Sequence, residues 1–154
     1  MIMSIAHLGF SLIICGIIFT SSFGATKQTN LKIGEELEIA SYKIIFNNIS
    51  YLKGPNYIGR VGEFEIFKNN QKIANLSPSL SYYPISDQTT NESSIFHSFL
   101  GDIYLVIGNK DEQENYAIRA YFKPFIWLIW LGVIMIFFAI TSSIVSSINI
   151  KLKR

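Results

Sequence analysis

Hydrophobic positions in this chain fall into three blocks of different rhythm. From Ile2 to Phe23 the residues are almost all apolar and include no Lys, Arg, Asp or Glu. At about 1.5 Å rise per residue such a segment makes a helix of roughly 33 Å, enough to cross a bilayer core. A second uncharged segment runs from Phe125 to Ile150 and includes the block Phe125-Ile126-Trp127-Leu128-Ile129-Trp130-Leu131. Trp127 and Trp130 lie near its start, where indole rings favour the membrane–water interface. Ser142, Ser143, Ser146 and Ser147 near its end can return their hydroxyls to helix carbonyls, and small polar residues suit helix–helix contact in lipid.

Between these blocks the period is two. Tyr42 to Ile49, Tyr57 to Lys68, Gln71 to Leu76, Asp102 to Ile107 and Tyr116 to Phe122 are rich in β-branched and aromatic residues and predict strands. Lys53-Gly54-Pro55-Asn56 reads as a turn. Asn69-Asn70 reads as a two-residue hairpin turn, because asparagine tolerates positive φ. Ser86 to Ser94 reads as a mobile polar loop, and Gly108 to Asn115 as a charged loop. Five to seven short strands predict a small antiparallel all-β domain, barrel-like or sandwich. The expected organisation is a membrane protein: a transmembrane helix over 2–23, a β-domain over 24–124, a second transmembrane helix over 125–150 and a basic tail over 151–154. The few residues joining the β-domain to each helix place it close to the membrane surface.

Lys151, Lys153 and Arg154 set the orientation. The positive-inside rule puts them in the cytoplasm or its organellar equivalent, so the β-domain is extracytoplasmic. A cleaved signal peptide, cut before Ala25, lacks the basic leading region it needs. A lipoprotein signal ending at Cys15 needs a small residue where Ile14 stands.

Composition adds little. The 154-residue chain is 16% charged, below the usual quarter, because the two apolar ends carry no charge. Net charge is +2, with no basic stripe interleaved with aromatics, which gives nucleic-acid binding no support. Cys15 is the single cysteine, so there is no internal disulfide or thiolate metal cage. Abundant Ile and Asn mark a compositional bias, and three N-x-S matches, at Asn48, Asn75 and Asn91, are expected from it by chance.

Candidate chemistry centres on histidine. His7 lies inside an apolar run, where ionisable residues are functional candidates, and neutral imidazole is a common haem-iron ligand. An equally simple reading has His7 reaching interfacial water. His97 stands beside Phe96 and near Phe99, a setting more often structural than catalytic. No GxSxG, CxxC, HExxH or phosphate-loop motif occurs. Asp87, Glu92, Asp111, Glu112 and Glu114 fall in expected loops and read as a solvated face. Arg119 and Lys123 alternate with Tyr121 and suit lipid headgroups, or failing that a partner's carboxylate.

Several motifs, in order, carry a family resemblance. Ala6-His7-Leu8-Gly9 leads into the first helix. Gly54-Pro55-Asn56-Tyr57 is followed by Gly62. Asp102-Ile103-Tyr104 comes with Val106 and Gly108. Arg119, Tyr121, Lys123, Pro124, Trp127, Trp130, Leu131 and Gly132 lead into the last helix. Along nearly its whole length the chain resembles the C-terminal region of the CcmF family, the haem lyase component of the cytochrome c maturation system. The resemblance implies that His7 is one of two histidines holding a membrane haem b, with the other on a helix outside this chain. It also implies that this haem passes electrons from quinol to the haem being attached to apocytochrome c. The β-domain is then a small barrel between the last two helices. Implied partners are the remaining N-terminal part of the lyase, the holo haem chaperone and the apocytochrome c machinery, besides lipid. The implied location is a bacterial inner membrane with the β-domain in the periplasm; a mitochondrial inner membrane is the alternative.

The departures limit what is expected. The family's tryptophan-rich haem-binding segment, its two external histidines and its second haem b ligand have no counterpart here. The chain is therefore expected to be a fragment, a split subunit or a remnant, and not a complete enzyme alone. Leu76-Ser77-Pro78-Ser79-Leu80-Ser81-Tyr82 lacks the basic residue of the matching family segment, and Ile140-Thr141-Ser142-Ser143 replaces a glycine pair. Two other functions compete. One is a non-catalytic docking or assembly module in which His7 is incidental. The other is an unrelated two-span anchored β-domain.

Overall fold

The computed structural model describes residues 2–152, with side chains described as far as Ser147. Lys153 and Arg154 of the expected basic tail lie outside the described residues, and Lys151 is described only as helix backbone. Two units make up the chain: a helical one, and a β-unit built from Ala25–Ser98 and Asp102–Phe122.

The helical unit pairs α1 (Ile2–Ser22) with α2 (Trp127–Leu152). Both are long and apolar enough to cross a membrane. Isoleucine and phenylalanine are mediocre helix formers in water, but in lipid only the helix satisfies every backbone amide within its own segment. Glycine builds the seam between them. Gly9 and Gly16 are the buried residues of α1, and they face Gly132 and Leu128–Ile129 of α2. A Cβ on Gly9 would come within 2.8 Å of the Gly132 carbonyl oxygen; one on Gly132 would collide with the Gly9 carbonyl oxygen. Ala139 completes the buried seam. Ser142, Ser143, Ser146 and Ser147 share one side of α2, the side that carries Gly132 and Ala139, but they stand one to two turns beyond Ala139 and are exposed. Within this pair the seam is set by the glycine and alanine positions.

Pro124 and Phe125 form the corner ahead of α2. Phe125 adopts φ 51°, and the next turns close through Leu128 N–H to Phe125 O at 3.0 Å and Ile129 N–H to Ile126 O at 3.1 Å. The indole of Trp127 donates to the Phe99 carbonyl at 2.9 Å and stacks on the Phe99 ring, centroids 5.1 Å apart. Thr20 of α1 donates to the Pro124 carbonyl at 3.1 Å.

The β-unit contains ten antiparallel strands, more than the five to seven the pattern predicts. β1 (Ala25–Leu31), β2 (Glu36–Ile39), β3 (Tyr42–Lys53), β4 (Ile58–Lys68) and β5 (Gln71–Leu76) come first. β6 (Ser79–Tyr83), β7 (Gln88–Glu92), β8 (Ser94–Phe96), β9 (Gly101–Lys110) and β10 (Tyr116–Pro124) follow. One sheet has the order β1-β10-β9-β8; the other is β2-β3-β4-β6-β7, with β5 pairing the second half of β4. Two apolar faces close on each other. Ile44, Phe46, Phe64 and Ile66 meet Ile103, Leu105, Ile107, Ile118 and Ala120, all 0–1% exposed. Burying each such large side chain stabilises the fold by about 1.5–3 kcal/mol. The Phe46 ring stacks on Phe64 at 4.6 Å and meets Tyr116 of the facing sheet edge-on at 5.5 Å.

Asn69 and Asn70 both adopt positive φ, 51° and 60°, as the two-residue hairpin reading requires. Ser86 to Ser94 is not a loop, for it contains β7. That strand is exposed at every position, so its sequence carries no apolar alternation, and backbone pairing with β6 orders it. Nor is Gly108 to Asn115 wholly a loop: β9 runs on to Lys110, and the turn occupies the residues after it.

Asp111 organises that turn. Its Oδ1 accepts the amides of Gln113 at 2.9 Å and Asn115 at 2.8 Å, and its Oδ2 accepts the Asn115 side-chain amide at 2.8 Å. The Asn115 side-chain bond, then its backbone bond, holds the carboxyl below the ordinary aspartate value. A depressed folded-state pKa contributes stability above the unfolded value, and that contribution is lost as pH falls through the folded one. The Gln113 and Asn115 amide resonances should therefore shift together at a midpoint below about 3.9, the unperturbed value. A midpoint at or above it would remove Asp111 as the organiser. In Asp111→Asn both amides should exchange faster at neutral pH.

Candidate functional site

The apolar character of α1 places His7 on a helix with no competing hydrogen-bond partners except the backbone. Its Nδ1 lies 2.7 Å from the carbonyl of Met3, one turn earlier. A carbonyl oxygen only accepts, so Nδ1 carries a proton at that contact. Nε2 is then the nitrogen with a free lone pair. Metal-ligating histidines are commonly held this way, with one ring N–H on a backbone carbonyl fixing both tautomer and ring orientation. The Ser11 hydroxyl donates to the His7 carbonyl at 2.9 Å and ties the following turn.

His7 also points the right way to meet something outside the pair. It stands two residues from Gly9, about 200° around the helix, so it lies on the face away from α2. It is exposed, as are Ser4, Ser11, Ile14 and Ile18 on the same side. His7 thus offers a single imidazole donor, a kind that haem iron takes. Among the described residues no group of three or more His, Cys, Asp or Glu could hold a metal ion.

His97, the chain's other histidine, is otherwise engaged. Its Nδ1 lies 2.7 Å from Asp102 Oδ2, and the Asp102 Oδ1 accepts the Ser98 amide at 3.4 Å. Asp102 is only 7% exposed and opens the Asp102-Ile103-Tyr104 motif. Burial, with the Asp102 charge second, pushes the Tyr104 phenol above its ordinary value. The pairing went unread in the sequence because a histidine and an aspartate five apart across a turn form no recognisable pattern.

The other motif residues have structural reasons. Gly54 accommodates the Tyr57 ring, which a Cβ there would strike, and Gly54 N–H donates to Tyr57 O at 2.9 Å. A Cβ on Gly62 would lie 2.5 Å from Phe64 Cε2 and 2.9 Å from Ile107 Cδ1 of the facing sheet. In the departing segment, Ser79, Leu80 and Ser81 are buried in β6 between β4 and β7, where small side chains permit close strand packing. Arg119 is exposed on β10 and donates from Nε to Gln28 Oε1 at 3.2 Å.

Comparison with known proteins identifies the family. The family model described as the CcmF C-terminal beta-sandwich matches residues 22–124. The chain belongs to that family. Among CcmF relatives, the cytochrome c-type biogenesis protein CcmF of Haemophilus influenzae is 35% identical over 130 residues, 84% of this chain and 20% of its own length. The CcmF of Pseudomonas aeruginosa is 29% identical over the same shares. A solved structure titled cytochrome c heme lyase CcmF superposes with a TM-score of 0.69 over 88% of this chain and 23% of its own, at 13% identity, a likeness of fold. The chain thus spans about a fifth of the length of the CcmF relatives it matches. It is a membrane protein of the cytochrome c biogenesis family, with two apolar helices flanking an antiparallel β-sandwich.

Proposed function

We propose that this chain is the C-terminal part, or a split subunit, of a cytochrome c haem lyase, and that His7 gives one axial ligand to a membrane haem b. The observation that carries the reading is the Nδ1–H···O=C bond from His7 to Met3, which leaves Nε2 free on the exposed face of α1. When bound, that haem supplies one-electron transfer toward the haem to be joined to apocytochrome c.

The roles of the chain's own residues follow from their positions. His7 Nε2 is the atom that would hold the iron. The Met3 carbonyl holds the imidazole in the ligating tautomer and limits its rotation. The Gly9–Gly132 crossing holds α1 at a fixed distance from α2, so the His7 face is presented rigidly to the rest of the lyase. The remaining polypeptide would supply the other ligand, and it would also cover the polar stripe of Ser4, His7 and Ser11. A stripe of this kind is unfavourable against lipid tails and favourable in a helix–helix contact. The sandwich lies on the extracytoplasmic side, in the periplasm of a bacterial inner membrane or the equivalent mitochondrial compartment.

Co-production with the remaining lyase polypeptide tests the reading. The purified complex should show a reduced-minus-oxidised b-type spectrum that the partner purified alone lacks. A full complement of low-spin haem b in the partner without this chain would overturn it.

A further inference from the structure

The inner faces of the two sheets do not end together. Past the bulge between Phe46 and Asn48, the inward positions of β3 continue through Ile49 to Tyr51. Tyr51 pairs with Arg60 of β4, Arg60 with Leu80 of β6, and Leu80 with Asn91 of β7; one pair along, Ile58 meets Tyr82 and Tyr82 meets Thr89. All these residues share the parity of the core residues Gly62 and Phe64; Leu80 is still buried in the core, but Tyr51, Ile58 and Tyr82 are left uncovered by the facing sheet. Tyr51 is 74% exposed and Ile58 55%. The result is an open concavity of about 410 Å³ at the end of the sandwich where β10 begins, lined by Tyr51, Ile58, Arg60, Tyr82, Thr89 and Asn109.

Two features describe what fits there. The first is charge. Arg60 lies beside the cavity with its guanidinium 6.0 Å from the centroid of the Tyr116 ring, and no carboxylate pairs with it among the described residues. The nearby lysine is already matched, since Lys110 pairs with Glu114 at 2.5 Å. Asp87 is engaged by the Tyr82 hydroxyl at 3.0 Å. A guanidinium flanked by tyrosines is built to take a carboxylate on two parallel N–H donors. The second feature is backbone. β7 is an edge strand, paired only with β6. β8 pairs with β9 only at Ile103, Tyr104 and Leu105, so Val106–Lys110 has no strand on that side. These two borders meet at the cavity. The Ile107 carbonyl, on the unpaired stretch, is taken by the Asn91 side-chain amide at 2.7 Å. Open strand borders recruit an extended peptide through main-chain hydrogen bonds, and side-chain pockets then select its sequence. Tyr and Arg are also the residues that dominate binding energy where proteins meet.

We propose that the open end of the sandwich binds an extended segment of a partner polypeptide, paired along the β7–β9 border with an acidic side chain on Arg60. The site is independent of His7 and of haem.

A phage-displayed library of random nonapeptides, selected against the full chain in lipid nanodiscs, tests it. Selected sequences should share an Asp or Glu at one fixed position. The best of them, made as a fluorescein-labelled peptide, should bind about tenfold more weakly when that residue becomes its amide, and about tenfold more weakly to Arg60→Gln. Tyr51→Ala, at an exposed position whose loss leaves the core intact, should weaken binding in the same direction with the melting temperature unchanged. Failure to enrich any peptide over empty nanodiscs, a consensus without a carboxylate, or Arg60→Gln binding the peptide as the parent does would each overturn the proposal. Binding of laurate or benzoate at Arg60 with no peptide enriched would assign the cavity to a small amphiphile instead.

Discussion

Replacing His7 by alanine should strip haem b from the complex formed with the rest of the lyase, to below about a tenth of the parent content. The magnitude follows from the number of ligands. On the proposed reading this chain would offer one imidazole to the iron, and even outer-shell partners of metal ligands change affinity by roughly 10–100-fold. Loss of the ligand itself should exceed that. The substitution costs the helix little, because alanine is the best helix former and His7 is exposed, making one local bond to the Met3 carbonyl. Circular dichroism and melting of the sandwich should therefore be unchanged. Any haem retained should become five-coordinate and high-spin, and added imidazole should return the low-spin spectrum. His7→Met should keep a six-coordinate haem at a higher reduction potential, since thioether ligation raises it. A Ser11→Ala variant, which loses only the bond to the His7 carbonyl, should hold haem as the parent does. If His7→Ala and the parent carry equal low-spin haem, the ligand role fails and the helix merely carries a histidine.

Much of the fold was legible because its signals are strong and local. Uncharged runs of bilayer length can be little else, and the Asn69-Asn70 turn announces itself through residues that tolerate positive φ. Of the five strands read from the sequence, most have one buried face, as in Tyr42–Ile49 and Asp102–Ile107, while Gln71–Leu76 is mostly exposed. The missed ones lack that alternation for separate reasons. β1 is mostly polar, with only Ala25 and Leu31 reaching the core, and β7 is exposed and polar throughout. β6 is serine-rich yet buried, since a strand held between β4 and β7 needs small side chains as much as apolar ones. β2 and β8 are four and three residues long, too short for a period to register. The candidate site divided similarly. His7 stands out as an ionisable residue in an apolar run, but its tautomer depends on the Met3 carbonyl, which only the helix supplies. The uncovered inner face around Arg60 could not be read at all. It depends on a bulge that resets parity between Phe46 and Asn48, and on where the second sheet stops.

Gly132→Leu and Gly9→Leu should each separate the two helices, and the double variant should be scarcely worse than either. At this crossing the backbones are in contact, and a Cβ at either position meets the carbonyl oxygen of the other glycine. A backbone oxygen within a continuous helix cannot swing aside as a side chain would, so the whole helix must move. Overpacking of a close seam costs roughly 1–3 kcal/mol even for small additions. Lipid offers no hydrophobic driving force to restore the contact, because tails solvate the released faces equally well. The expected readout is a fall in melting temperature of the helix pair in detergent by several degrees or more, at about 2–4 °C per kcal/mol for chains somewhat longer than this one. Haem content should fall with it in the lyase complex, since α1 carries His7 two residues from the crossing. Substitutions at one shared contact are strongly non-additive: once the seam is open, the second bulky residue has nothing left to displace. Val133→Phe, on an exposed position of α2, adds similar bulk and should leave both readouts unchanged. Full additivity of the two glycine substitutions, or a Val133→Phe effect of the same size, would mean that helix bulk in general and not the Gly9–Gly132 contact sets the spacing of the pair.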